Sequence, residues 1–177
     1  MKHLLVAVFL LIAPAASAAA TYWTTPAVLK HFFKSSQRVR AIEVLGSELA
    51  DAGVTASKGK YLVYIGQSGE VIDGFAVVDD EKGQHMPITF GFLFDLQGRM
   101  KDVQIMSYRE PYGDEIRDRR FLAQLVGKSK DDALKPGVDV DGVTGATISV
   151  RSTTIAARRA LVLCDIARRK LSAGNPG

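Results

Sequence analysis

Between Asp141 and Ser149 the chain reads Asp-Gly-Val-Thr-Gly-Ala-Thr-Ile-Ser, with two threonine hydroxyls, Thr144 and Thr147, around the Gly145-Ala146 pair. Thr147 stands two residues ahead of Ser149, a good N-cap for the long helical stretch that follows. Small neighbours leave its hydroxyl open to a bulky partner. The start of a helix also offers free N–H groups and the positive end of a dipole, and both favour a phosphate. The chemistry that suits this arrangement is a threonine carrying a phosphate ester. Taken alone, the same nine residues equally describe a glycine-containing loop with a serine cap. Arg151, just beyond Ser149, is either a phosphate partner or a solvent-facing arginine.

Other chemistries find less support. Gly66-Gln67-Ser68-Gly69 places its second glycine one residue early for a G-x-S-x-G nucleophile elbow, and it lies in a hairpin rather than between strand and helix. Outside the first few residues the only histidines are His31 and His85, too few for a multi-histidine metal site. Cys164 is the single cysteine, so internal disulfides and cysteine-held zinc or iron-sulfur centres are excluded, and its place in an apolar helix suggests a buried thiol. Arg109-Glu110-Pro111-Tyr112-Gly113-Asp114-Glu115 mixes both charges with an aromatic at a strand-to-helix junction. Such a junction is either a solvated turn with acids in the first turn of a helix, or a loop beside a site.

The elements that must position these residues follow from local pattern. Thr25 and Pro26 open a short helix as N-cap and first residue, running to about Phe33, and Arg38–Leu45 alternates imperfectly as a strand. Tyr61–Ile65, the turn Gly66–Gly69 and Val71–Val78 form a hairpin with Gly74 as its bulge. Ile88–Phe94 and Val103–Met106 form a second, with Gly98 in its turn. Asp114–Val126 reads as a helix with Ile116, Phe121, Leu122 and Leu125 inward, ended by Gly127. Ser129–Asp132 reads as a short capped helix, and Ser149 to about Leu171 as a long one. The expected fold is α+β: an antiparallel sheet of about four to five strands packed with helices, the last of them long.

A chain of 177 residues with 47% apolar content holds one domain comfortably. Lys2 and His3, the apolar run Leu4–Ile12, Pro14 and the small residues Ala15–Ala20 describe a secretory signal peptide, taken as residues 1–18; the alternative is an uncleaved membrane anchor, against which stand an apolar run shorter than the roughly 20 residues of a spanning helix and its interruption by Pro14. Residues 19–60 then form an N-terminal helix and extension, 61–172 the main domain and 173–177 a tail. Localisation outside the cytoplasm, in the periplasm, is the expectation. A net charge of +4 is too small and too scattered for nucleic acid, and fits weak docking on an acidic partner or proximity to anionic headgroups.

Asp141-x-x-Thr144-Gly145-Ala146-Thr147 resembles the flavinylation motif D-x-x-[ST]-G-A-[ST] of the FMN-binding domain family. That family includes the flavin-bearing subunits of the sodium-pumping NADH:quinone reductase and of the Rnf complex, and the extracytoplasmic domain of the nitrous-oxide-reductase regulator. Gln84–Phe90, and Tyr108–Ile116 followed by Phe121 and Gly127-Lys128, resemble its single-domain and regulator-like branch. The resemblance implies one covalent FMN, joined by a phosphoester to Thr147 and transferred from FAD by a flavin transferase. It implies that Asp141 and Thr144 shape the loop for that enzyme and that Gly145 and Ala146 keep it open. Ser149, Tyr108, Glu110, Tyr112 and His85 would lie at the flavin. A periplasmic electron-transfer protein follows, with a membrane-bound donor and a redox protein or quinone as acceptor. A flavin-carrying sensor or assembly factor, or an exported flavin-dependent reductase of a small molecule, are the alternatives. Thr144 stands where the respiratory subunits have serine, and a signal replaces their membrane helix.

Overall fold

The computed structural model describes residues 20–173; the expected signal peptide, residues 1–18, lies outside the described residues, as does Gly174–Gly177. Six strands, β1 (Ala20–Thr21), β2 (Arg38–Leu45), β3 (Lys60–Ser68), β4 (Val71–Lys82), β5 (Pro87–Phe94) and β6 (Met100–Tyr108), make one sheet in the order β1-β6-β5-β4-β3-β2. Every neighbouring pair is antiparallel. The α+β expectation therefore holds, with six strands in place of four or five. β2 matches the imperfectly alternating stretch Arg38–Leu45, and the extra member is β1, which at two residues is too short to show a period.

Two layers cover the sheet. On β5, Ile88, Phe90, Phe92 and Phe94 all face the same side and are fully buried, the period of two that a half-covered strand requires. They meet the long helix α4 (Thr147–Ala173), which turns Ala156, Ala157, Ala160 and Ala167 inward so that its backbone sits close to the aromatic row. The other face is covered by α1 (Thr25–Phe32), whose Val28 and Phe32 pack with Phe33 on Ala76 and Met106. A short helix α2 (Gly46–Asp51) follows β2. Among the described residues no helix is long and apolar enough to cross a membrane.

Several local expectations shift. The cap of α1 is Thr24, whose hydroxyl accepts the Ala27 N–H, because Pro26 then falls within the first turn where its missing N–H costs nothing. The first hairpin turn is only Gly69-Glu70, since β3 and β4 keep pairing out to Ser68 and Val71. The bulge falls at Asp73, beside Gly74.

The expected helix over Asp114–Val126 is broken. A 3-10 turn spans Asp114–Arg117, Asp118 goes extended, and α3 covers only Arg119–Ala123. The Asp118 carboxylate accepts the Arg120 N–H at 2.8 Å, a local bond that competes with helix continuation. Ile116, Phe121 and Leu125 still reach the core. Ser129–Asp132 is not helical either. Asp132 accepts both the N–H and the hydroxyl of Ser129, closing a side-chain turn instead.

Candidate functional site at the start of the last helix

Gly145, at φ +83°, reverses the chain, and the Ala146 N–H closes the turn on the Val143 carbonyl at 3.0 Å. The Val150 N–H then reaches the Ala146 carbonyl at 2.9 Å, so Thr147 is itself the first helical residue and Ser149 lies inside the first turn. Ser149 is thus not the cap. Its buried hydroxyl serves another purpose, standing 2.8 Å from the Tyr108 phenol oxygen. Because that phenol donates its one proton to the Tyr112 carbonyl, Ser149 is the donor to Tyr108. Gly113, at φ +90°, runs against this pair: a Cβ there would stand 2.6 Å from Ser149 Oγ and 2.8 Å from Tyr108 Oη. Burial, chiefly, pushes the Tyr108 phenol above its ordinary value, against the Ser149 hydrogen bond, with the Glu110 carboxylate adding to the rise.

A shallow pocket of about 190 Å³ opens here, lined by Gln84, Glu110, Tyr112 and the run Gly145–Ser149. Thr147 and Ile148 are exposed at its edge, Ala146 is buried beneath it, and Tyr112 is 80% exposed over it. The backbone amides of Thr147, Ile148 and Ser149 have no carbonyl partner among the described residues, as the first turn of a helix dictates.

Glu110 is 4% exposed and half satisfied. Its Oε1 accepts the backbone N–H groups of His85 at 2.7 Å and Met86 at 2.8 Å, while its buried Oε2 has no partner. The loop from Gly83 to Met86 wraps so closely that a Cβ on Gly83 would stand 2.3 Å from Glu110 Oε1.

Of the residues singled out from sequence, the structure brings Glu110, Tyr112, Gly145, Ala146, Thr147 and Ser149 to one pocket. Tyr108 lies behind it, bracing Ser149. His85 contributes a backbone N–H to Glu110, and its exposed side chain lies outside the lining. Asp141 and Thr144 sit exposed on the approach loop, with the Asp141 N–H held by Gln124 Oε1 at 2.7 Å. Arg151 is exposed and away from the lining.

Gln84 was missed as a site residue. Its only signal was its place beside His85 in a stretch already singled out. Also missed was a buried ion network that fixes α4 lengthwise. Arg159 donates to Asp79 at 2.6 Å and to the Asp80 carbonyl at 2.9 Å, and Lys58 holds the other Asp79 oxygen at 3.0 Å. Nearer the pocket, the Ser152 hydroxyl donates to the Lys82 carbonyl at 2.7 Å, tying the first turns of α4 to the strand end that leads into Gly83.

The model of one protein family, described as the FMN-binding domain, matches residues 22–162. The chain belongs to the FMN-binding domain family. FMN is accordingly its cofactor. No curated protein matches the sequence. Among solved structures, the crystal structure of Shewanella oneidensis NqrC shares the fold at a TM-score of 0.57 and 18% identity, over 81% of this chain and 88% of that one.

The residues present fit such a group. A flavin mononucleotide offers a phosphate, which takes the free amides at the start of α4, and hydroxyl and ring N–H donors, which take an acceptor such as Glu110 Oε2. Among the described residues no cluster of His, Cys, Asp and Glu is suited to a metal ion.

Proposed function

We propose that this chain is a periplasmic electron-transfer protein carrying one FMN in phosphoester linkage to Thr147. One observation carries the reading: an exposed hydroxyl on the first residue of a 27-residue helix, beside a pocket that holds an unpartnered, buried carboxylate oxygen. The helix start favours the phosphate, and the small residues Gly145 and Ala146 leave room for it.

The size of the pocket supports the covalent bond. At about 190 Å³ it falls below the range, roughly 300–1,000 Å³, of sites that enclose a ligand. A pocket of this size would leave much of a flavin outside it, where noncovalent contacts are few, and a bond to Thr147 would make occupancy independent of bulk concentration. Esterification joins the FMN phosphorus of FAD to the Thr147 oxygen, displaces AMP, and passes the hydroxyl proton to the flavin transferase or to water.

The exposed loop from Asp141 to Thr144 gives that enzyme its approach. Glu110 Oε2, buried without a partner, would accept a hydrogen bond from the flavin, Tyr112 would line its site, and Tyr108 with Ser149 holds the helix start in place. When bound, the flavin supplies reversible one- and two-electron chemistry. The character of residues 1–18 supports export, and with it a membrane-bound donor and a redox protein or quinone as acceptor.

The test is expression with and without a flavin transferase, followed by fluorescence on a denaturing gel and intact mass. The expected result is a transferase-dependent adduct of one FMN, absent from Thr147→Ala. An adduct that survives Thr147→Ala overturns the assigned attachment.

A further inference from the structure

The outer edge of β6 is covered only at its two ends. Near its end, Ser107 and Tyr108 pair with β1, and the Tyr22 and Trp23 N–H groups both donate to the Met106 carbonyl. At its beginning, Met100 exchanges backbone bonds with Gly127 and Lys128, at 2.7 and 2.9 Å. Between these clamps, Lys101–Ile105 meets no strand on that side among the described residues. Five residues of strand span about 17 Å, the length of an ordinary strand.

Over this gap lies a groove of about 490 Å³, larger than the pocket at Thr147. Lys101–Gln104 forms its floor. Trp23 and His31 make one wall, while Leu122 and Val126 make the other, with Val126 about half exposed. Its charge is lopsided. Lys101, Arg117 and Arg119 line it against the single carboxylate Asp102, and that one is occupied by His31 at 3.2 Å. Arg117 is held by stacking on the Tyr22 ring, 3.7 Å from its centroid.

The geometry points to a docking groove for an extended, acidic segment of a partner protein, laid along Lys101–Ile105 as an added strand. The open edge supplies backbone pairing, Leu122 and Val126 take an alternate apolar side chain, and Lys101 and Arg119, without a carboxylate partner among the described residues, select for carboxylates, beside Arg117, which lies 3.9 Å from Asp114. A flat anionic membrane does not match a concave floor made of strand backbone. Arg117 also closes the 3-10 turn whose N-cap, Gly113, packs on Ser149 and Tyr108, so a partner docked here sits next to the flavin site. The value of that adjacency rests on the redox function proposed above; the docking itself does not.

Trp23 is the only tryptophan and lines this groove, so the protein's tryptophan emission responds to its occupancy. The experiment titrates acetyl-Glu-Val-Glu-Val-Glu-Val-Glu-amide into the flavin-free and the flavin-loaded chain, with the lysine-for-glutamate peptide and anionic phospholipid vesicles as comparisons. The expected result is a saturable change of Trp23 emission with the acidic peptide only. It weakens several-fold as salt rises from about 50 to about 300 mM, and it disappears in the double variant K101E/R119E, which changes exposed side chains only. Slowed hydrogen exchange of the Lys101–Ile105 amides in the peptide-bound state identifies strand addition.

No saturable response to the acidic peptide would mean that the cations merely guard an edge strand against aggregation, and the proposal falls. It falls equally if the lysine peptide binds as well, if K101E/R119E still responds, or if only vesicles respond. Because the flavin-free chain is titrated too, absence of the Thr147 adduct leaves this result readable.

Discussion

Replacing Glu110 separates the two halves of its carboxylate. Oε1 holds the His85 and Met86 amides, and Oε2 faces the pocket without a partner. Glu110→Ala orphans both amides at once. Each buried donor left unsatisfied costs about 1–3 kcal/mol, and because the site borders an open pocket, water relieves part of this, leaving about 2–4 kcal/mol in total. For a domain of this size that corresponds to a melting temperature lowered by about 6–12 °C. Glu110→Gln keeps an oxygen that accepts both amides and loses only the charge assistance, about 1 kcal/mol.

The assay is urea unfolding and thermal melting of the flavin-free chain for all three proteins, followed by the same melts after flavin loading. The order wild type, Gln, Ala is expected in the flavin-free state. Loading raises wild type more than either variant, because only the native carboxylate offers an acceptor at the Oε2 position. An Ala variant within about 1 kcal/mol of wild type would refute the account of the Gly83–Met86 loop. Equal stabilisation of all three on loading would refute the role of Oε2.

Three further outcomes are expected. Gly113→Ala meets a left-handed backbone and two hydroxyls under 3 Å away, so it destabilises by about 2 kcal/mol or more in denaturant unfolding and slows flavin loading by displacing the Tyr108–Ser149 pair. Arg159→Ala leaves Asp79 buried with Lys58 alone, which places the loss near the lower end of the 3–5 kcal/mol of a broken buried pair, about 3 kcal/mol; the Asp79→Asn, Arg159→Met double variant recovers part of it in the same unfolding assay. Burial pushes the Tyr108 phenol up and the Cys164 thiol up to about 12. Folding therefore favours the protonated forms, and their contribution is complete below the unfolded values, near 10 and 8.5, and fades as pH rises through the folded ones. Unfolding free energy measured across that alkaline range falls, Tyr108→Phe flattens the fall, and Cys164 reacts with alkylating reagents at neutral pH only when the chain opens.

What could be read directly were features whose physics is local. The row Ile88, Phe90, Phe92 and Phe94 shows its period of two whatever it packs against, and the alanine-rich stretch after Thr147 shows helix propensity without its sheet. Ser149 shows the limit of that reading. It is a fine cap by type, but its hydroxyl is taken by Tyr108, forty-one residues away, and Gly145 starts the helix two residues sooner. Asp114–Val126 shows the same limit, since one Asp118 side chain accepting the backbone N–H of Arg120 outweighs the apolar spacing.

The sequence by itself determined every strand but the two-residue β1, the hairpins, the long final helix and the threonine at its start, because turns, periods and caps are short-range choices of a few residues. Only the tertiary structure decided that Glu110 is ringed by the Gly83–Met86 loop, that Arg159 meets Asp79 across eighty residues, and that the edge of β6 stays open between two clamps. The physical reason is that each of those depends on which groups lose water together. A buried charge, an orphaned oxygen or a free strand edge has no meaning until packing has assigned every other partner.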